Sequence, residues 1–178
     1  MFNFLMSNNE KSKKCESVGR RITEEMFGYK YLFYFTQDQY KEHDFIAISK
    51  NGFEMIIGDI KCYRNPEYPR YHNMSRGIIY PDFQLDYKKL EKITDLAKRA
   101  EGKPIIIAHF TDVTMVWDLN KCDWKNRVRW KECNKIGVDF GKEEEESKES
   151  YLYFEEAIYI KDNKTGKVFK SYKDWKKE

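Results

Sequence analysis

A chain of 178 residues, 40% hydrophobic and 16% aromatic, is long enough to enclose one real core and too short for two full domains. The hydrophobic and aromatic fractions argue against wholesale disorder, and 35% charged residues predict a globular chain with a strongly polar exterior. No apolar run reaches the roughly 18 to 20 residues that cross a bilayer, and the four cysteines (Cys15, Cys62, Cys122, Cys133) lack the close spacing of a zinc or iron–sulfur site and the density of a disulfide scaffold.

These features give the expectation of a cytoplasmic protein with reduced thiols and no membrane contact. Residues 1–6 are apolar but too short for a signal-peptide core and have no basic segment ahead of them. Lys plus Arg number 33 against 30 for Asp plus Glu, so the formal charge of +3 names no partner by itself. The distribution says more. Lys11, Lys13, Lys14, Arg20 and Arg21 crowd the N-terminus, Arg64, Arg70 and Arg76 follow residue 62, and the acids Glu143 to Glu146 cluster elsewhere.

In chain order, Val18, Ile22 and Met26 recur at four-residue spacing and predict a helix over 13–27 with Gly28 as its stop. Residues 29–35 are dense in aromatics and read as a strand. The stretch 43–62, HDFIAISKNGFEMIIGDIKC, holds two β-prone runs joined at Asn51-Gly52, the signature of a hairpin. Residues 63–81 contain three prolines and several tyrosines and predict an irregular loop of functional length.

Asp82 is the expected N-cap of a helix through Phe83, Tyr87, Leu90, Ile93 and Ala97, closed by Lys98, Arg99, Gly102 and Pro104. Two apolar strands follow, over 105–110 and 113–119. Farther on, 151–160 reads as extended, 162–166 as a turn and 168–172 as a returning strand. The order predicts an α/β fold: a mixed β-sheet flanked by helices, in a single domain whose core spans about 13–120, with a C-terminal β-rich elaboration over about 121–178.

The chemistry concentrates in the hairpin. Phosphodiester hydrolysis needs a nucleophile made from water, neutralised phosphoryl oxygens and a protonated leaving oxygen, and a divalent metal serves these needs. Asp44 and Asp59 supply hard carboxylate ligands suited to Mg²⁺, and the carbonyl of Ile60 offers a third. Residues two apart on a strand share a face, so Lys61 addresses the same site as Asp59 and can orient the attacking water. The helix before the hairpin offers Glu24 or, one residue on, Glu25, as an acid acting through water.

Weaker candidates surround this set. Arg70, His72 and Arg76, interleaved with Tyr68 and Tyr71, have the chemistry of a phosphate-gripping loop. Arg127 and Arg129 alternate as on a strand face, and His109, inside an apolar strand, reads as a satisfied core residue.

The order of elements resembles the PD-(D/E)xK nuclease superfamily, with its restriction-endonuclease-like fold, and is most similar to archaeal-type Holliday-junction resolvases. The resemblance covers roughly residues 16–119. It rests on Gly19 and Glu24 in the first helix, Asp44 at the opening of a strand, Asp59-Ile60-Lys61 about fifteen residues later, a helix, and the strand led by Gly102-Lys103-Pro104. His43 stands where the family name has Pro, the helix acid is one residue out of register, and nothing after Cys122 matches.

The resemblance implies a Mg²⁺-dependent endonuclease acting on DNA, with Mn²⁺ as a substitute. Gln84, early on the helix after the D-x-K strand, would then contact water or phosphate. Because such nucleases often cut two strands as pairs, it also implies a homodimer. The competing readings are a catalytically inactive nucleic-acid- or protein-binding module on the same fold, and an RNA-directed nuclease.

Overall fold

The structure, a computed structural model, describes residues 2–36, 43–62, 82–131 and 147–177. In chain order these form α1 (Phe2–Phe27), β1 (Tyr31–Phe35), β2 (Phe45–Ser49), β3 (Met55–Cys62), β4 (Asp82–Asp86), α2 (Tyr87–Arg99), β5 (Lys103–His109), β6 (Val113–Asp118), β7 (Val128–Lys131), β8 (Ser147–Tyr153), β9 (Tyr159–Asp162), β10 (Val168–Phe169) and α3 (Tyr172–Lys177). Short 3₁₀ turns occupy Trp124–Asn126 and Phe154–Glu156.

The expected mixed sheet flanked by helices is present. Seven strands lie in the order β1-β2-β3-β5-β6-β9-β10. β3 and β5 pair in parallel, and the other neighbours in this sheet are antiparallel. Parallel pairing requires a crossover, and α2 lies on the path between β3 and β5. The hairpin forms as its sequence predicts, with Gly52 at φ 76° in the turn, a backbone that a side chain would strain.

Because β3 is a central strand, its alternating side chains enter two different environments. Ile60 joins Phe45, Ala47, Ile105, Ile107 and Val116 in one apolar layer, against which Phe27 of α1 packs. Gly19 permits this approach, since a Cβ there would fall 2.9 Å from both Ile60 Cγ2 and Cys62 Cβ. Ile106 and Ala108, beside Asp59 and Lys61 in register, belong instead to the layer that holds Leu90 and Ile93 of α2. Asp59 and Lys61 therefore face α2, while α1 lies on the other side of the sheet.

A second sheet, β4-β8-β7, packs beside α2. Phe83 of β4 stacks on Trp117 of β6, and the Trp117 indole N–H donates to the Tyr153 carbonyl at 2.8 Å. Residues beyond 121 thus contribute two strands to each sheet.

Several elements differ from the sequence expectation. Residues 82–86 are a strand, because Phe83 and Leu85 alternate into the core and pair with β8. The helix begins later, at Tyr87, and its cap is Asp86, whose carboxylate accepts the Lys89 N–H at 3.0 Å. Residues 151–160 divide between two sheets at the turn Phe154–Glu156, and the returning strand expected over 168–172 is confined to Val168–Phe169, with a helix starting at Tyr172. The first helix also extends back to Phe2. Residues 63–81, expected as a loop and holding Arg64, Arg70, His72 and Arg76, and the acids 143–146 lie outside the described residues.

Gly58 gives the test of this frame. A Cβ there would stand 2.3 Å from the Ile105 carbonyl oxygen and 2.6 Å from the Phe45 ring, and the carbonyl belongs to a paired strand that cannot give way. Gly58→Ala is expected to lower unfolding free energy by about 2 to 3 kcal/mol in urea denaturation, and an unchanged midpoint would contradict this packing.

Candidate active site

The site forms where β2 begins and β3 ends. Asp44 precedes β2, its N–H donating to the Gly58 carbonyl at 2.9 Å and its own carbonyl accepting the Thr36 N–H at 2.9 Å. With the backbone held from both sides, the side chain reaches across to β3, where Asp44 Oδ2 accepts the Ile60 N–H at 2.9 Å. Ile60 itself packs into the α1 layer, so it offers the site only main-chain groups.

Asp59 is fully buried, so its charge must be compensated by the groups around its two carboxylate oxygens. The compensation is ionic. Lys61 Nζ lies 2.8 Å from Asp59 Oδ2, and Lys89 Nζ, from the first turn of α2, closes on Asp59 Oδ1. Lys89 Nζ also stands 3.8 Å from Asp44 Oδ1. Both lysines keep close to a third of their side-chain surface in solvent, against 1% for Asp59.

The two carboxyls titrate in opposite directions. Burial pushes Asp44 up, and a hydrogen bond with Asp59 and that residue's charge push it further, to about 7, against the pull of Lys89 and the Ile60 N–H. Burial also raises Asp59, but Lys61, the bond to Asp44 and Lys89 outweigh it and hold the group down at about 2. The pair therefore shares one proton through the acid range, and Asp44 carries it.

This donor set fits a hard divalent cation. Two carboxylates meet, and one of them is a buried anion whose partners are side-chain cations that can move. Among the described residues no third Asp, Glu, His or Cys joins them.

The structure thus brings together Asp44, Asp59, Lys61 and the main chain of Ile60. It does not bring Glu24 there. Glu24 is exposed on α1, across the sheet from Asp59, and the alternative Glu25 is exposed too, with Arg21 Nε at 3.7 Å. Helical periodicity predicted the stripe of α1 that packs, but not the face of the sheet it packs on.

Gln84 is likewise displaced, since it projects from β4 into solvent rather than from a first helical turn. Lys89 takes that place, three residues after the true cap. A signal for it existed in the lysines that follow Asp86, but taking Asp82 as the cap concealed it.

The outlying candidates are engaged elsewhere. His109 is buried, with Nε2 2.8 Å from Thr23 Oγ1 and Nδ1 3.1 Å from Thr114 Oγ1, as a core histidine should be. Arg127 binds both oxygens of Glu156, at 2.5 and 2.9 Å, and lies over the Tyr153 ring; Arg129 lies over Tyr151. No disulfide joins Cys15, Cys62 and Cys122 among the described residues, and Cys133 lies outside them.

No protein-family model and no curated protein matches the sequence. Among solved structures, the chain is similar to the 1.6 Å structure of Archaeoglobus fulgidus Hjc, a Holliday junction resolvase from an archaeal hyperthermophile, with 9% identity and a TM-score of 0.41. The likeness covers 72% of this chain and 84% of that one. The chemistry of the site stands on its own residues.

The two aspartates should respond differently to substitution. The folded-state pKa of Asp44 lies above the unfolded value, so its stabilising contribution is full below about pH 4 and is lost as pH rises through about 7. Asp44→Asn, which mimics the protonated acid, is expected to melt at or above the wild-type temperature at pH 8 in metal-free buffer. Asp59→Asn removes the buried anion that both partly exposed lysines and Asp44 bind, and is expected to cost about 1 to 3 kcal/mol. Equal losses in the two variants would contradict this assignment.

Proposed function

We propose that the chain is a metal-dependent endonuclease that hydrolyses DNA phosphodiester bonds at the end of β3. The observation that carries the reading is the buried Asp59 carboxylate, joined by Asp44 from the neighbouring strand and flanked on its own strand by Lys61. This is the arrangement of the PD-(D/E)xK superfamily, which the sequence resembles.

Asp44, Asp59 and the Ile60 carbonyl would hold Mg²⁺, or Mn²⁺ in its place. The Ile60 N–H is directed at Asp44, and in an extended strand the carbonyl of the same residue projects to the same side. The ion would supply charge neutralisation at the phosphate and a more acidic attacking water.

The protein's own groups do the rest. Asp59, buried and ionised, fixes the negative charge that defines the site, and Asp44 becomes a ligand when its proton leaves. Lys61, on the same face and partly in solvent, orients the attacking water and offsets charge on the phosphate.

A second reading is a binding module on this fold without turnover. It is favoured by the lack of a third acidic ligand among the described residues. An RNA-directed nuclease would use the same chemistry on a different strand.

A panel of supercoiled, linear, branched and single-stranded DNA, with an RNA arm, separates these readings. With Mg²⁺ the wild type is expected to cut DNA, and Asp59→Asn and Lys61→Ala to cut about 100-fold more slowly or worse. Glu24→Gln should stay within about twofold, the range of a surface change that touches nothing. Salt-sensitive binding without cleavage in either Mg²⁺ or Mn²⁺ would establish the second reading instead.

A further inference from the structure

We infer that Lys89 is a tethered cation that fills the place between Asp44 and Asp59 in the metal-free protein, and that it sets the affinity of the pair for a divalent ion. The inference rests on the metal-dependent reading above and extends it to a residue which that reading does not require.

Lys89 touches both carboxylates. Its ammonium contacts Asp59 Oδ1 and lies 3.8 Å from Asp44 Oδ1, so it stands beside the same two groups that would hold an ion. A small divalent cation binding both acids and this ammonium repel each other over the same few ångströms, and one must give way.

The helix that carries Lys89 does not need it. Lys89 is the third residue after the cap Asp86, in a first turn that contains Lys88 and no acid. A helix N-terminus favours anions, so cations there work against the dipole. Leu90, Ile93 and Ala97 anchor α2 in the core without help from Lys89. A residue that costs its own element stability and spends its charge on the site is placed for the site.

Unequal mobility decides which group moves. Asp59 is sealed on an interior strand with 1% of its side chain exposed, and Asp44 is held by the Ile60 N–H and its strand partners. Lys89 is 30% exposed on a four-carbon stem that can swing into solvent. Lys61 holds the opposite oxygen, Asp59 Oδ2, and so keeps Asp59 paired when Lys89 departs.

The test is direct ion binding by the full chain, measured by calorimetry with Mn²⁺ and with Ca²⁺ and without nucleic acid. Lys89→Met keeps the apolar stem and removes the charge, and it is expected to bind either ion about tenfold more tightly than wild type. Lys89→Arg keeps the charge and should match wild type. If the wild type binds and Lys89→Met binds no tighter, the inference fails while the metal reading stands. If neither protein binds either ion although both melt cooperatively, both fail.

Should Lys89→Met not fold, the wild type provides its own readout. With its lysines ¹³C-dimethylated, the Lys89 NMR signal is expected to move toward the free-lysine position on adding Ca²⁺. A signal that stays in place at saturating Ca²⁺ overturns the inference.

Discussion

The buried charge of Asp59 is the constraint to which the surrounding structure answers. A carboxylate sealed from water costs several kcal/mol unless it is paired, and here two ammonium groups supply that pairing. Lys61, two residues along the same strand, meets one oxygen, and Lys89, from the crossover helix, meets the other. Burial and the charge of Asp59 raise the neighbouring Asp44, which holds its proton up to about pH 7. A site in this state is neutralised by groups that can leave, which is what a binding site for a positive ion requires.

The fold supplies the geometry for that balance. Parallel pairing of β3 with β5 brings α2 over the face that Asp59 occupies, and the late start of α2, after strand β4, sets Lys89 at its first turn. Antiparallel pairing with β2 brings Asp44 level with the end of β3, where its side chain caps the Ile60 amide. On the opposite face Gly19 lets α1 settle against Ile60 and Cys62 and close the apolar layer. The second sheet completes the core through Phe83 and Leu152, which join Trp117 of β6 there, so the residues after 121 are part of the frame around the site as well as an addition to it.

Much of this was legible in the sequence where local pattern and pairing coincide. The hairpin announced itself through Asn51-Gly52 and its flanking β-branched residues, and from its register Asp44, Asp59 and Lys61 followed. What escaped depended on contacts distant in sequence. Phe83, Tyr87 and Leu90 have helical spacing, but Phe83 and Leu85 also alternate. Pairing with β8, more than sixty residues away, decides for the strand. That shift of a few residues removed Gln84 from the site and brought in Lys89. Glu24 was misplaced for a related reason: periodicity gives the packing stripe of a helix, and only the sheet's two-sidedness says which functional groups that helix can reach.

Anomalous diffraction from crystals soaked in Mn²⁺ addresses the central claim most directly, because it locates the ion without reference to any reaction. The account predicts an anomalous peak bounded by the carboxylates of Asp44 and Asp59, with the Lys89 ammonium withdrawn from between them. No peak at that position under saturating Mn²⁺, with Lys89 still seated on Asp59, would contradict it.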